Sequence, residues 1–323
     1  MTSIESRALG DLRPEPGERC RGMIRVPGVE PAWEMPAWVV RGKAEGPTLA
    51  VTAGVHAAEY PPIEAATRFA RALDPAELRG TVVVVTLVNT PGFFARSLYV
   101  NPRDGQNLNR AFPGSAAGPP SERVANFLLE EVIRGADAYL DLHCGDLVEA
   151  LEPFSMYRLT GDPDVDERAD RLARAYGIGH LIMAGGDGVP GSSTGAAAGI
   201  GVPAVIVEIG QQGIIDEPST RAHLSGLESV LRELGMLAGR PFFAHPVQVH
   251  RTFAWLRAPA SGLLTLGVRC GEVVQEGQPI GELRDLFGDR LEELVAPDTG
   301  VVLFAVTSLA VPEGGPIVGI GAA

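Results

Sequence analysis

The sequence predicts an α/β fold with a largely parallel or mixed sheet, followed by a smaller all-β region. Two observations support this prediction. Between residues 47 and about 238, apolar strand-like runs alternate with helix-like segments, an order typical of a sheet covered by helices. After residue 240 the chain changes to short apolar runs separated by Gly, Pro and Asp, without a helical pattern, which is typical of a small β-sandwich.

The individual elements follow from residue type and period. Continuous β-branched runs predict strands buried on both faces, and apolar residues at helical spacing predict helices. The predicted strands are 47–53, 81–88, 138–142 and 204–209, and the predicted helices are 61–73, 120–134, 164–176 and 219–236. Residues 1–46 mix short apolar runs with Pro and Gly, so we expect edge strands and turns there. We expect one α/β domain over 1–240 and a β-rich domain over 241–323.

The stretch from Ala258 to Leu283 resembles the half-repeats of biotinyl/lipoyl-type β-sandwiches. Domains of that type carry their cofactor on a lysine at a hairpin tip. The chain has one lysine, Lys43, which lies in a turn-like segment far upstream. A swinging-arm carrier is therefore excluded, and we expect a structural or pocket-covering role for residues 241–323.

The charge balance excludes several classes of partner. The 323 residues include 27 basic and 40 acidic side chains, a formal net charge of −13, so neither nucleic acid nor an anionic membrane is an expected partner. No apolar stretch approaches the roughly 20 residues of a membrane span, and the first ten residues lack a signal core. Cys20, Cys144 and Cys270 are scattered, which favours a reducing cytoplasm over a disulfide framework. The oligomeric state stays open, a homo-oligomer being one alternative.

Two imidazoles and one carboxylate lie at the ends of two predicted strands. His56 and Glu59 are three residues apart just after the first strand, and His143 ends a later apolar run. Such a set makes a zinc site with three protein ligands and an open fourth position, which suits a hydrolase better than a structural metal. Cys144 is an alternative fourth ligand, but adjacent side chains on a strand point to opposite faces, which argues against it.

Glu208 lies in the apolar run Ala204-Val-Ile-Val-Glu-Ile-Gly, near the end of a predicted strand. Burying a carboxylate there is costly without a partner, and burial is expected to raise its pKa. Such a group suits a general base that takes a proton from a zinc-activated water and returns it to a leaving nitrogen. Asp141, two residues before His143, either orients that ligand or caps the strand end.

The segment from Asn101 to Gly114 is rich in turn residues and has no apolar periodicity. Asn109 and Arg110 adjoin within it. A guanidinium presents a planar fork to a carboxylate and an amide fixes its orientation, so we expect this pair to bind a substrate carboxylate. The glycine-rich stretch 185–195 lacks dinucleotide and P-loop spacing. We therefore exclude nucleotide binding there and expect a mobile loop near the substrate pocket.

Taken in order, these motifs resemble the succinylglutamate desuccinylase/aspartoacylase family over about residues 47–212. The motifs are His-x-x-Glu at 56–59, Asn-Leu-Asn-Arg-x-Phe-Pro-Gly at 107–114, Asp-Leu-His at 141–143 and the late strand glutamate Glu208. That family is related in fold to the zinc carboxypeptidases. The resemblance thus implies a zinc-carboxypeptidase-like mixed central sheet flanked by helices in a catalytic domain over 1–240, and a β-rich C-terminal extension is also usual in the family.

The resemblance also implies a role for each motif. The implied roles are one Zn2+ per chain bound by His56, Glu59 and His143, substrate carboxylate binding by Asn109 and Arg110, and general-base catalysis by Glu208. The family uses a further arginine to polarise the scissile carbonyl. Arg96 and Arg103 both lie near the required place, and Arg103 is favoured. Tyr157 is a candidate for the family's substrate-contacting tyrosine.

The expected activity is that of a zinc-dependent amidohydrolase acting on linear amides. We expect a deacylase that cleaves the amide bond of an N-acyl amino acid or a similar small carboxylate-bearing amide. A carboxypeptidase acting on peptides is an alternative, because the same site serves both reactions and the width of the cleft separates them. A catalytically inactive zinc-dependent binding protein is an alternative of another class, but such a protein would not need Glu208.

Overall fold

The computed structural model describes residues 9–186, 189–243 and 246–323, so residues 187 and 188 of the predicted glycine-rich loop lie outside the described residues. Within them, the strands of the large sheet are β1 (Arg19–Val26), β2 (Trp33–Arg41), β3 (Ala44–Ala53), β4 (Arg79–Val85), β5 (Ala138–His143), β7 (Phe154–Arg158), β8 (His180–Ala184), β9 (Ala204–Glu208) and β10 (Gln248–His250), while β6 (Glu149–Leu151) lies elsewhere. Their order across the sheet is β1-β2-β4-β3-β5-β9-β7-β8-β10.

The sheet is mixed, as predicted. Strands β4, β3, β5 and β9 run parallel to one another at its centre. Strands β1 and β2 form an antiparallel hairpin at one edge, where edge strands were expected, and β7 is antiparallel to β9. Parallel strands share one carboxyl-terminal edge, which is where sheets of this kind place their functional side chains.

Helices cover both faces of the sheet. They are α1 (Tyr60–Ala72), α2 (Thr90–Ala95), α3 (Pro120–Phe127), which continues as a π-helical turn (Leu128–Ile133), α4 (Pro163–Tyr176), α5 (Ser193–Gly199) and α6 (Glu217–Glu233), with a 3₁₀ turn at Leu108–Arg110. None of the described helices is both long and apolar enough to cross a bilayer.

Alternation along the central strands decides which helix each side chain meets. Leu49 and Val51 of β3 belong to the core cluster that contains Phe69 of α1. Ala50 of the same strand belongs to the opposite cluster, with Leu128 of the π-helical turn. Full burial of one such large side chain stabilises the fold by about 1.5–3 kcal/mol. Because both faces are covered, polar side chains concentrate at the strand ends.

The four predicted strands and four predicted helices are all present, with ends that differ by at most three residues. Strands β7, β8 and β10 are not predicted from the sequence. They are three to five residues long and mix polar with apolar side chains, so their pairing within the sheet, rather than local propensity, defines them.

The C-terminal region contains antiparallel sheets with their own core. Its strands are β11 (Thr252–Arg257), β12 (Gly262–Leu266), β13 (Val273–Val274), β14 (Pro279–Arg284), β15 (Arg290–Val295), β16 (Gly300–Val306), β17 (Ala310–Val311) and β18 (Pro316–Ala322). One sheet has the order β11-β18-β16-β13, with β6 also paired to β16, and the other has the order β15-β14-β12-β17. The predicted fold class, α/β followed by a small all-β region, is confirmed. The boundary between 240 and 241 stays a prediction.

Candidate active site

Three parallel strands, β3, β5 and β9, end at the same edge of the large sheet. A polar side chain is the last residue of the strand or follows it after a short turn. His143 is the last residue of β5 and Glu208 is the last residue of β9, and the two are register partners on neighbouring strands. His56 follows β3 across a turn at Gly54, where φ is +67° and an added Cβ would lie 2.8 Å from Leu87. The topology thus places side chains from distant parts of the sequence at a single edge.

Glu59 lies between the two histidines. It is the residue that precedes α1, and it is 3% exposed. Its Oε1 lies 2.7 Å from His56 Nδ1 and its Oε2 lies 2.8 Å from His143 Nδ1. One ligand atom from each of these three residues lies within 4.8 Å of the others. The structure therefore brings the three predicted ligands together. Cys144 contributes its backbone N–H to Glu59, whereas its thiol donates to the Gly145 carbonyl.

The outer nitrogen of each imidazole faces an oxygen. His56 Nε2 lies 3.1 Å from Asn107 Oδ1, the oxygen that also accepts the backbone N–H of Asn109. His143 Nε2 lies 3.0 Å from Asp141 Oδ2, an ion-pair distance without hydrogen-bond alignment. A neutral imidazole with its proton on Nε2 has a lone pair on Nδ1. Both Nδ1 lone pairs then point at the Glu59 carboxylate, which is itself an acceptor. Because Asp141 faces His143 Nε2, the structure favours a role in orienting this ligand over a role as a strand cap.

Acceptors that face acceptors at these distances need a cation or added protons between them. Burial alone would raise the pKa of Glu59, but the charges of His143 and His56 outweigh it and lower that pKa to about 2. Burial alone would lower the pKa of His143, but Asp141 and Glu59 raise it well above its usual value. Two imidazole nitrogens and a carboxylate oxygen are donors that suit zinc. The residues present therefore fit a zinc ion.

Glu208 lies beside this cluster and is half-buried. Burial raises its pKa well above the usual range, the negative charges of Glu59 and Glu149 act in the same direction, and His143 opposes them. Among the described residues no basic side chain forms an ion pair with it. A carboxyl group that binds a proton this readily can accept one from an attacking water and deliver it to a leaving group.

The 3₁₀ turn buries Asn109 and exposes Arg110. Asn109 Oδ1 accepts the backbone N–H of Ser193, and the Arg110 guanidinium donates to the Asn109 carbonyl at 2.7 Å. Although Arg110 is exposed, the surrounding protein lowers its pKa by desolvation; Arg257 lowers it further, and Glu208 acts in the opposite direction. In the described part of the chain Arg110 has no carboxylate partner, so its fork is available for a ligand.

The structure does not bring Arg103 to the metal ligands. Its Nη1 donates to the Pro31 carbonyl at 2.6 Å and its Nη2 donates to the Ala32 carbonyl at 3.3 Å. The guanidinium also lies 5.2 Å from the centre of the Trp33 ring. These contacts hold Arg103 at the turn between β1 and β2, and its contact with substrate stays a prediction.

Two other residues raised by the sequence have no described contact with the ligands. Arg96 is exposed at the end of α2, in the left-handed region with φ 54°. Tyr157 is buried and donates from its hydroxyl to Asp170 of α4. Tyr99 instead lies beside a ligand, because its ring centre is 6.5 Å from that of His56 in an edge-on arrangement.

Several polar groups around the ligands escape sequence analysis. Asp146 is fully buried and accepts the backbone N–H of Tyr99. Glu149 accepts the backbone N–H of Asp146, and burial, reinforced by the charges of Glu59 and Asp146, raises its pKa to about 7. Neither carboxylate lies on a predicted element, so nothing in the pattern marks them. Asn107 had a usable signal, since it opens the Asn-Leu-Asn-Arg motif.

Comparisons with known proteins agree with this geometry. The sequence model of the succinylglutamate desuccinylase/aspartoacylase catalytic domain matches residues 45–234. A curated relative, the N-alpha-acetyl-L-2,4-diaminobutyric acid deacetylase of Halomonas elongata, is 29% identical over 274 residues, which are 82% of this chain and 80% of the relative.

Solved structures extend the similarity to nearly the whole chain. A succinylglutamate desuccinylase/aspartoacylase from Rhodobacter sphaeroides superposes with a TM-score of 0.85 at 26% identity, covering 98% of this chain and 99% of that one. The product-bound ectoine utilization protein EutE (DoeB) from Ruegeria pomeroyi superposes with a TM-score of 0.86 at 22% identity, covering 96% and 98%. The second likeness shows the shared fold.

Proposed function

This chain belongs to the succinylglutamate desuccinylase/aspartoacylase family, and we propose that it is a zinc-dependent deacylase that hydrolyses the amide bond of an N-acyl amino acid. One observation carries the proposal. The cluster of His56, Glu59 and His143, in which Glu59 and His143 are buried, lies next to Glu208, the register partner of His143 on the adjacent strand. Metal ligands and a proton-accepting carboxyl group are thus combined at a single sheet edge.

His56 Nδ1, Glu59 and His143 Nδ1 would hold one zinc ion. When bound, zinc supplies Lewis-acid chemistry, which polarises a carbonyl and makes water more acidic. Asn107 and Asp141 face the outer nitrogens of the two imidazoles, the position from which such neighbours commonly orient metal-binding histidines.

The remaining steps belong to the side chains of this protein. Arg110 and the Asn109 amide bind the substrate carboxylate and thereby fix the position of the scissile amide. Glu208 accepts a proton from the attacking water and returns it to the leaving nitrogen, a task suited to a carboxyl group with a raised pKa. An intact Glu208 in this position also argues against a zinc-dependent binding protein without catalysis.

For the substrate we propose an N-acetylated amino acid with a second amino group. The Halomonas elongata relative is named for such a molecule. In this chain the carboxyl groups of Asp146 and Glu149, whose pKa values are raised by burial and by Glu59, lie near the ligands, and an ammonium group bound beside them would favour their charged forms, while Arg110 offers its fork for a carboxylate. This charge distribution suits a molecule with one carboxylate and one ammonium group better than a dicarboxylate. Three free cysteines support our proposal that the reaction takes place in a reducing cytoplasm.

The test is metal content followed by activity. Elemental analysis of untagged wild type should give near-stoichiometric zinc that His143→Ala loses. Zinc-loaded wild type should then release amine from a panel of acyl amino acids, fastest from Nα-acetyl-L-2,4-diaminobutyrate. A wild type that cannot be loaded with zinc contradicts the proposal, and so does loaded protein that releases no amine. Shortening of peptides seen by mass spectrometry would identify a carboxypeptidase instead.

A further inference from the structure

Ser193 contacts residues in both parts of the candidate site. One is Asp141, beside the proposed metal ligand His143, and the other is Asn109, beside Arg110. Ser193 is the first residue of α5 and is fully buried. Its hydroxyl donates to Asp141 Oδ2, and its backbone N–H donates to Asn109 Oδ1 at 2.9 Å. The N–H groups in the first turn of a helix have no partner within that helix, which leaves the Ser193 N–H free for this role.

The backbone contact decides which side of the Asn109 amide a ligand meets. A backbone N–H can only donate, so the Asn109 atom that it contacts must be the oxygen. The Nδ2 hydrogens of Asn109 therefore remain for a ligand. A substrate carboxylate accepts hydrogen bonds only, and it is matched by the Asn109 donors beside the Arg110 fork.

The hydroxyl contact restrains Asp141 on the side of the metal ligand. Thr52 Oγ1 donates to Asp141 Oδ1 at 2.6 Å, and Ser193 donates to Oδ2, the oxygen that lies 3.0 Å from His143 Nε2. The single Thr52 hydroxyl proton goes to Asp141, so the Tyr139 hydroxyl donates to Thr52. With both oxygens held, the Asp141 carboxylate cannot turn away from the His143 ring.

We propose that Ser193 is a positioning residue shared by the metal site and the carboxylate-binding site. Its hydroxyl keeps Asp141 against His143, and its N–H turns the Asn109 amide so that the donors of Nδ2 remain for substrate. This inference rests on the proposed zinc deacylase function. It also assigns a role to the glycine-rich stretch that sequence analysis identified only as a loop near the pocket.

Two substitutions separate the two contacts. Ser193→Ala removes the hydroxyl and keeps the N–H. Ser193→Pro removes both, and proline is well suited to the first position of a helix. Ser192, with ψ 154°, already has the extended backbone that a residue before proline adopts. Ser192→Ala is the matched control, because that hydroxyl accepts the Gly195 N–H at the same helix start and has no described hydrogen bond to Asp141 or Asn109.

Zinc affinity, measured by competition with a chelator, tests the contact between the Ser193 hydroxyl and Asp141. We expect Ser193→Ala to bind zinc about 10- to 100-fold more weakly than wild type, and Ser192→Ala to bind zinc as wild type does. KM, measured at saturating zinc with the best substrate of the panel, tests the contact between the Ser193 N–H and the Asn109 amide. We expect Ser193→Pro to raise KM above that of Ser193→Ala.

The outcomes separate this inference from the proposed function. Zinc binding that Ser193→Ala leaves unchanged overturns the role of the hydroxyl, and equal KM values for the Ala and Pro variants overturn the role of the N–H. If Ser193→Ala does not fold, as judged by thermal unfolding, Ser193→Cys replaces it, because a thiol is of similar size and a weaker donor. A wild type that binds no zinc overturns the proposed function together with this inference.

Discussion

The two ends of the candidate site are held in different ways. The metal end comprises the proposed ligands and Asp141, and the arginine end comprises Asn109 and Arg110. At the metal end Glu59, Asp141 and His143 are at most 3% exposed, and each lies against fixed polar neighbours. At the arginine end Arg110 is exposed and its described hydrogen bond is to the carbonyl of the preceding residue. The side chains proposed to carry out the reaction are therefore fixed by the protein interior, whereas the side chain proposed to bind the substrate carboxylate keeps the freedom to adapt.

The largest effect is expected from breaking the metal end with His143→Ala. The substitution removes one of the three proposed ligands, leaves the buried Asp141 carboxylate without the imidazole that it faces, and leaves Glu59 with His56 alone. Zinc content should fall to background and amine release should fall on the order of a thousandfold or more. His180→Ala is the control, since His180 lies in the same sheet and is hydrogen-bonded to His250. Zinc retained by His143→Ala at the wild-type level would refute the assigned ligand set.

Glu208→Gln separates chemistry from metal binding. The amide has the same shape but cannot carry the proton, so kcat should fall by about 10²–10⁴ while zinc content is unchanged. Glu149→Gln makes the same exchange in a neighbouring carboxylate. We expect that control to keep kcat and to raise KM for a substrate with a second amino group. Steady-state kinetics with elemental analysis checks both, and wild-type kcat in Glu208→Gln would remove it as the base.

Arg110→Ala and Arg103→Ala test the arginine end as a pair. Losing charge-assisted hydrogen bonds to a carboxylate costs about 1.5–3 kcal/mol, so Arg110→Ala should raise KM about ten- to a hundredfold. Arg103 donates instead to backbone carbonyls of the β1–β2 turn, so Arg103→Ala should lower thermal stability and leave KM unchanged. The reverse result would support the substrate-binding role predicted for Arg103.

The smallest effect on the reaction is expected from His223, which contacts the backbone of the residue after Glu208. His223 is fully buried, its Nε2 lies 3.2 Å from the Ile209 carbonyl, and burial lowers its pKa to about 4. The unfolded chain binds the proton at the ordinary histidine pKa near 6.5, so the folded protein loses stability as pH falls from about 6.5 to 4. The loss from this group is about 3 kcal/mol.

Chemical unfolding at several pH values checks this prediction. His223→Gln should flatten the slope of the unfolding free energy between pH 6.5 and 4, and activity at pH 8 should change little. An unchanged slope would mean that His223 is already protonated or already exposed in the folded protein.

The site was predictable where it depends on strand ends. His56, His143 and Glu208 each sit at or just beyond a β-branched run, and a parallel sheet brings such ends together whatever their separation in sequence. Asp141 and Asn107 are harder, because alternatives such as a strand cap explain them equally well until the distances to the imidazoles are known.

Other contacts were beyond sequence analysis for two physical reasons. Ser193 and Asn109 are 84 residues apart, and no periodic pattern reports a contact between two irregular segments. The role of Arg103 stays a prediction, and its contacts could not be foreseen because a long flexible side chain can reach several partners; here its guanidinium contacts backbone carbonyls and the Trp33 ring of a hairpin. The short strand β6, which carries Glu149, has no local signal at all.

Strand β6 has a consequence for how the two parts of the chain can change. It lies between β5 and β7 in the sequence but pairs with β16 of the C-terminal region. Next to this pair, the Thr307 N–H donates to the Val148 carbonyl. Cutting the chain after residue 240 would strip this strand of its partner and leave an open edge that invites aggregation. We therefore expect that the C-terminal region cannot be exchanged for an unrelated one, because the exchange would also remove the strand that pairs with β6 and positions Glu149.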